Sequence, residues 1–475
     1  MNARASFLLV CAAIGGGSGG TFACSSDDKP AAVGSGGDVG NAGTHAAAGD
    51  TETSGGTPAL EGDAAGAGGA AGAAESMPEG GAGGAESPES SGGVPGVCNQ
   101  GKGAVVRGRV TSPSGELPLA GVAAYVPSST VDALPSGTGC WRCQTALVGK
   151  PRALAFTSTD GSFELDNVPA GDKVPLVIQT GKWRRTLELE VVDCQENLVA
   201  DDDARLPSKR SLGNLPHIAL VSGGEDTLEC LLRKLGIDDS EFGTSFSDAR
   251  VRIFQGKGGM DGLAADAQTK LDPASALWTK PAPLSNFDLV LLGSETDQNA
   301  ADKTADARAA LHEYVATGGR LLVQHFQNYF LSAGAEDVSS VATFSQEADL
   351  TDPFQVKVDQ SSERGRQLAA SLHALDLQGS LGQLAVHSGR NSVTAVKAPA
   401  LRLLYGESPA TVQAYSQDLS NDAGQPACGR LTETELLTSA GDSVAVFPNG
   451  CKSSGLTAQE RALAYLLFDL GACLP

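Results

Sequence analysis

Cations are scarce in this chain, and no apolar run is long enough to span a bilayer. Lys and Arg number 34 against 56 Asp and Glu, giving a formal net charge of −22. That balance excludes the basic face that marks nucleic-acid binding. It also excludes adhesion to an anionic lipid surface by charge. What it does imply is a soluble, self-repelling surface. The apolar stretch Phe7–Ile14 is too short for a transmembrane helix. The sequence also lacks an internal repeat and eight evenly spaced βα units, so neither a solenoid nor a closed (β/α)₈ barrel is expected. Cys-x-x-Cys occurs once, whereas a four-cysteine zinc site needs it twice.

Glycine is abundant: 60 residues in 475, which signals a biased segment. Residues 1–23 read as an export signal, with Arg4 before the apolar core and Ala23 at the cut. The segment 24–97 is almost all Gly, Ala, Ser, Glu, Asp, Thr and Pro. It has too little apolar bulk to offset its ordering entropy, so a disordered tether is expected. Residues 98–204 contain short β-branched runs split by Gly, Pro, Asp and Ser, such as "AVVRGRV", "SFELDNVP" and "RTLELEVV". This is the pattern of an all-β sandwich.

From 205 to 475 the rhythm is βαβ. "HIALVSGG" is a strand, and "DTLECLLRKLG" carries Leu228, Leu231, Leu232 and Leu235 at helical spacing with Gly236 as its cap. "FDLVLLGSE", "ADARAALHEYVATGG" and "RLLVQ" supply a strand, a helix and a strand. Thr457 and Glu460 form a capping box for a last helix. The expected fold class is multidomain: tether, prealbumin-like β-sandwich, then a doubly wound, mostly parallel α/β sheet.

Three resemblances sharpen this reading. "TFAC" (Thr21–Cys24) resembles a bacterial lipobox, which implies a lipid on Cys24, and Ser25 after it implies sorting to the outer membrane. The protein is then expected on the periplasmic face or the cell surface, with the lipid as its only membrane contact. "TSTDGSFELDNVPAGDKVPLVI" resembles the carboxypeptidase regulatory-like domain, an accessory module without catalysis. "IALVSGG", "FDLVLLGSE" and "YVATGGRLLVQH" resemble the class I glutamine-amidotransferase-like superfamily, in its ThuA-like branch. The combination is similar to a group of lipoproteins of δ-proteobacteria of myxobacterial type.

An amidotransferase carries its nucleophilic cysteine in a Gly-flanked turn after the strand that here ends at Gln324. This chain has His325 at that place, with no cysteine and no flanking glycine, so glutaminase chemistry is not expected. The ThuA-like branch implies a histidine there. His325 should lie at the carboxyl edge of the sheet, where open α/β folds bind ligands. Gly223, Gly224, Glu225, Glu295, Gln327 and Asn328 are expected around it as candidate ligand-binding residues. His325 either braces its turn, binds a ligand, or acts as a base with Glu295 beside it. The first reading is a non-enzymatic envelope protein that binds a carbohydrate or protein partner. The alternative is a sugar-directed hydrolase or isomerase with His325 as general base. No metal, cofactor or nucleotide is expected; Glu225 and Asp226 would repel a phosphate from the turn after "SGG".

Besides Cys24, eight cysteines are expected to be paired after export. Cys98 with Cys194 would clamp the sandwich, leaving Cys140 with Cys143. Cys230 with Cys473 and Cys428 with Cys451 would close the second domain. "CWRC" (Cys140–Cys143) could alternatively be a redox pair or half of a zinc site.

Overall fold

Apolar residues at successive strand positions need a sheet that is covered on both faces, and the structure provides one. The computed structural model describes residues 103–474 except 280, 346–348, 375–381 and 422–424. The expected export signal, Cys24, the expected tether and Cys98 lie outside the described residues.

The first part is a β-sandwich. β1 (Ala104–Arg109), β4 (Ser162–Val168) and β7 (Glu196–Leu198) form one sheet in the order β4-β1-β7. β2 (Ala123–Pro127), β3 (Pro151–Phe156), β5 (Gly171–Thr180) and β6 (Trp183–Val191) form the other, in the order β3-β2-β5-β6. Val106, Phe163 and Leu165 from the first sheet meet Val126, Leu176 and Ile178 from the second in one apolar cluster.

The second part is built on a ten-stranded sheet, with two small two-stranded sheets beside it. Its strands are β8 (Ile218–Ser222), β9 (Phe242–Thr244), β10 (Val251–Gln255), β11 (Leu289–Leu292) and β12 (Arg320–Gln324), followed by β13 (Phe354–Val358), β14 (Gln383–Val386), β15 (Leu401–Glu407), β16 (Ala410–Leu419) and β17 (Gly429–Thr434). The order is β14-β13-β15-β16-β17-β12-β11-β8-β10-β9. The strands from β17 to β9 pair in parallel. The other four join antiparallel, so the sheet is mixed rather than mostly parallel throughout. The described residues are mostly β, with few helices.

Along β8, Ile218 and Leu220 enter one apolar cluster while Ala219 and Val221 enter the other, as the two-residue period of a strand requires. The first face is covered by α1 (Leu228–Lys234), α3 (Glu363–Ala374) and α4 (Ala458–Gly471); the second by α2 (Ala305–Ala316). The capping box of α4 is present: Thr457 Oγ1 accepts from Glu460 N at 3.2 Å, and Glu460 Oε2 accepts from Thr457 N at 2.8 Å. Gly236 ends α1 at φ +97°, a conformation that a side chain disfavours.

The sandwich sits against the amino edge of the parallel strands, and the described residues of both parts fall in one compact unit. One apolar cluster runs from the sandwich interior through to α1 and α4 without a break. Backbones touch across the seam: Gly181, at φ +52°, packs so closely on the Gly471 carbonyl that a Cβ would collide with it. Lys182 and Asp288 form a buried ion pair there at 2.5 Å.

Disulfides cross the same seam, which corrects the expected pairing. Cys140 pairs with Cys428 and Cys143 with Cys473, at Cα separations of 4.4 and 5.0 Å. Cys140–Cys143, Cys230–Cys473 and Cys428–Cys451 are therefore not formed. The expectation assumed that each region closes its own cysteines. Instead the "CWRC" loop leaves the sandwich and lies on the sheet edge, where Cys143 N donates to Leu474 O and Leu474 N to Trp141 O. Cys230 on α1 faces the 441–451 loop and pairs with Cys451. Cys194 is also in a disulfide. With Cys140 and Cys143 both oxidised to distant partners, neither is a thiolate for zinc or redox exchange. These bonds mark an oxidising, extracytoplasmic protein. Among the described residues no helix is long and apolar enough to cross a membrane.

Candidate functional site

β12 delivers His325 at its carboxyl end, and the chain there turns sharply into a short 3₁₀ turn, His325–Asn328. His325 adopts φ +48°, which is uncommon for a residue with a side chain and costs energy unless its surroundings hold it. They do. The ring Nδ1 stands 3.2 Å from Glu225 Oε2, on the loop after β8. The ring Nε2 stands 3.3 Å from Glu435 Oε2, one residue past β17, without the alignment of a hydrogen bond. The parallel register of β12 with β17, Gln324 opposite Thr434, is what brings Glu435 beside His325.

The electrostatics differ around the ring. Burial works to raise the Glu225 carboxyl, but the hydrogen bond and charge of His325, the Ser294 hydroxyl and Arg390 outweigh it and hold Glu225 below its ordinary range. Ser294 Oγ donates to Glu225 at 2.9 Å. Glu433, on the same face of β17 as Glu435, is fully buried. Burial first, then repulsion from Glu435, raises its carboxyl well above the ordinary value. Ser392 Oγ donates to Glu435.

The ring itself is 3% exposed. Glu225, with 28% of its side chain exposed, and half-buried Phe326 reach solvent at this edge. Arg390 lies 4.2 Å above the Phe326 ring and pairs with Asp349 at 2.9 Å. Among the described residues, no group of three or more His, Cys, Asp or Glu could hold a metal ion.

The other expected residues fall as follows. Gly223 packs on the Ser294 carbonyl, and Gly224 accepts from Ser443 Oγ at 2.7 Å. Gln327 is fully buried and donates to the Gly293 carbonyl at 3.1 Å; Asn328 is buried beside it. These contacts tie the turn to the neighbouring loops. Glu295 is not among the carboxylates that face His325. Its oxygens accept from Lys257 N, Asn299 Nδ2 and buried Lys303 Nζ at 2.9, 3.1 and 2.8 Å. Sequence reasoning missed Glu433, Glu435 and Arg390, which lie far from His325 in the chain. The strand "GRLTET" leading into Glu435 was the available signal.

No protein-family model and no curated protein sequence matches the chain. Among solved structures it is similar to a ThuA-like protein from Bacteroides uniformis, at 9% identity and a TM-score of 0.29, over 53% of this chain and 89% of that one. It is also similar to a chain from a type II cohesin–X-dockerin complex of Acetivibrio cellulolyticus, an N-terminal interface mutant. There the identity is 18% and the TM-score 0.15, over 31% of this chain and 79% of that one.

Proposed function

We propose that the chain is an exported, lipid-anchored envelope protein that binds a carbohydrate or protein partner at the carboxyl edge of its parallel strands and is not an enzyme. The observation that carries this reading is the enclosure of His325. A general base must reach the proton it removes. This imidazole is buried, and both of its nitrogens face carboxylates. The solvent-facing groups at the edge are Glu225, Phe326 and Arg390, a set suited to contact rather than to proton transfer.

His325→Gln is expected to lower stability by on the order of 2 kcal/mol, because two carboxylates lose the ring between them. Binding to a glycan array or to isolated sacculi should survive that change and be lost in Phe326→Ala. The positive φ of His325 favours the competing reading of a sugar-directed hydrolase or isomerase. Turnover of nitrophenyl glycosides that disappears in His325→Gln at unchanged stability would establish that reading and overturn the first. The anchor is tested separately: labelled palmitate should enter the wild type and not Cys24→Ala. Equal labelling of the two would remove the lipid from the proposal.

A further inference from the structure

A buried charge is normally paired, since an unpaired one carries an uncompensated desolvation cost. Arg184 breaks that pattern. It lies on β6, on the outer face of the four-stranded sheet, and is 6% exposed. Its Nη1 is buried without a hydrogen-bond partner. Among the described residues it is in no ion pair. The interacting groups are Tyr125, whose hydroxyl donates to Gln179 Oε1 at 3.3 Å, and Asp132, which is exposed. Burial pushes the guanidinium down, against smaller upward effects of Tyr125 and Asp132.

Beside Arg184 is a cavity of about 500 Å³ between this sheet face and the loop 128–131. That volume is in the range of small-molecule sites. Its lining contains Ser128, Ser129, Thr130 and Thr186 but no Asp or Glu. In a chain with 56 acidic residues, a cavity lined by one buried guanidinium and several hydroxyls, with Asp132 beside but outside the lining, offers a positive group to a negatively charged ligand. Guanidinium matches a carboxylate or phosphate with two parallel hydrogen bonds. Ser128 Oγ is occupied, donating to Lys150 O at 2.6 Å, which leaves the other three hydroxyls for a ligand.

We propose that this cavity is an oxyanion site in which Arg184 takes the carboxylate or phosphate of a small polyhydroxylated molecule, while Ser129, Thr130 and Thr186 meet its hydroxyls. The site is on the sandwich and is independent of the sheet-edge reading above.

The test uses the full chain with its disulfides intact, by thermal shift and calorimetry at matched ionic strength. The probes are glucuronate, glucose 6-phosphate, inorganic phosphate and glucose. Saturable stabilisation by glucuronate or glucose 6-phosphate, but not by glucose, is expected; which anion acts distinguishes a carboxylate site from a phosphate site. Arg184→Gln should weaken binding at least about tenfold, the loss expected for a charged hydrogen-bond partner. Its stability without ligand should be unchanged or higher, because an uncompensated buried charge is gone. Thr186→Val, on the exposed rim, should weaken binding with no change in fold. Stabilisation no greater than that by sodium chloride, equal binding of glucose, or undiminished affinity in both variants would overturn the proposal.

Discussion

Replacing Cys140 and Cys143 together by serine is expected to lower the urea midpoint by an amount equivalent to several kcal/mol. It should also turn the cooperative transition of the wild type into two separable ones. The reason is that the two bonds interleave along the chain. Cys140–Cys428 closes a loop with a sequence separation of 288, worth about 5–6 kcal/mol in the chain-entropy model. Once it is closed, Cys143–Cys473 adds a smaller circuit, three residues on one side and forty-five on the other. That second closure is worth roughly 4 kcal/mol in the same model, and native strain can reduce both. The single variants should therefore each retain much of the clamp. Both bonds hold the sandwich to the sheet edge, so their joint loss leaves the seam to the apolar cluster, the close glycine contacts, the Lys182–Asp288 pair and backbone hydrogen bonds such as Leu474 N to Trp141 O. The unfolding of Trp183 in the sandwich should then separate from far-ultraviolet loss in the large sheet. A double variant within about 1 kcal/mol of wild type, with one transition, would show that the seam needs no covalent tie.

The parallel half of the large sheet was legible because its strands are apolar on both faces and its helices carry stripes and caps. Ile218–Ser222, Leu289–Leu292 and Arg320–Gln324 are such runs. The antiparallel strands, and the strand β17 at which they join the parallel ones, were not legible. Ala410–Leu419 and Gly429–Thr434 bury Gln413, Ser416, Gln417, Arg430 and Glu433, residue types that read as surface or loop. Their burial depends on partners on other strands, such as Asp418 for Arg430 at 2.6 Å. The exit of β12 marked His325, but its neighbours follow from strand order, which spacing does not contain. Glu295 was attractive because it ends a neighbouring strand. Lys303, eight residues later, captures it locally. The cysteines misled for a related reason. Spacing suggested closure within each region, whereas the "CWRC" loop joins them.

Glu229→Gln is expected to stabilise the protein at neutral pH and to flatten its response to pH. Glu229 is on α1, 1% exposed, with one carboxylate oxygen lacking a partner. Burial first, against an opposing backbone hydrogen bond and with a lesser contribution from repulsion by Asp226, pushes its carboxyl up to about 8. The folded chain therefore keeps this proton until about pH 8, whereas the unfolded chain releases it near the ordinary value of 4.5. Between those limits the folded state binds more protons than the unfolded one, so stability falls as pH rises. Below the window both states are protonated, and above it both are ionised, so the contribution is flat on either side. At pH 7 the loss amounts to on the order of 3 kcal/mol relative to a side chain that never ionises. The amide of glutamine has the same shape and no such linkage. Asp226, also buried and raised, remains in the variant and keeps part of the slope. The measurement is therefore the difference between the two proteins, by urea unfolding at pH 5 and pH 7.5. That difference should grow with pH by roughly 2–3 kcal/mol across the interval. A difference that is the same at both pH values would mean that Glu229 is already ionised in the folded chain.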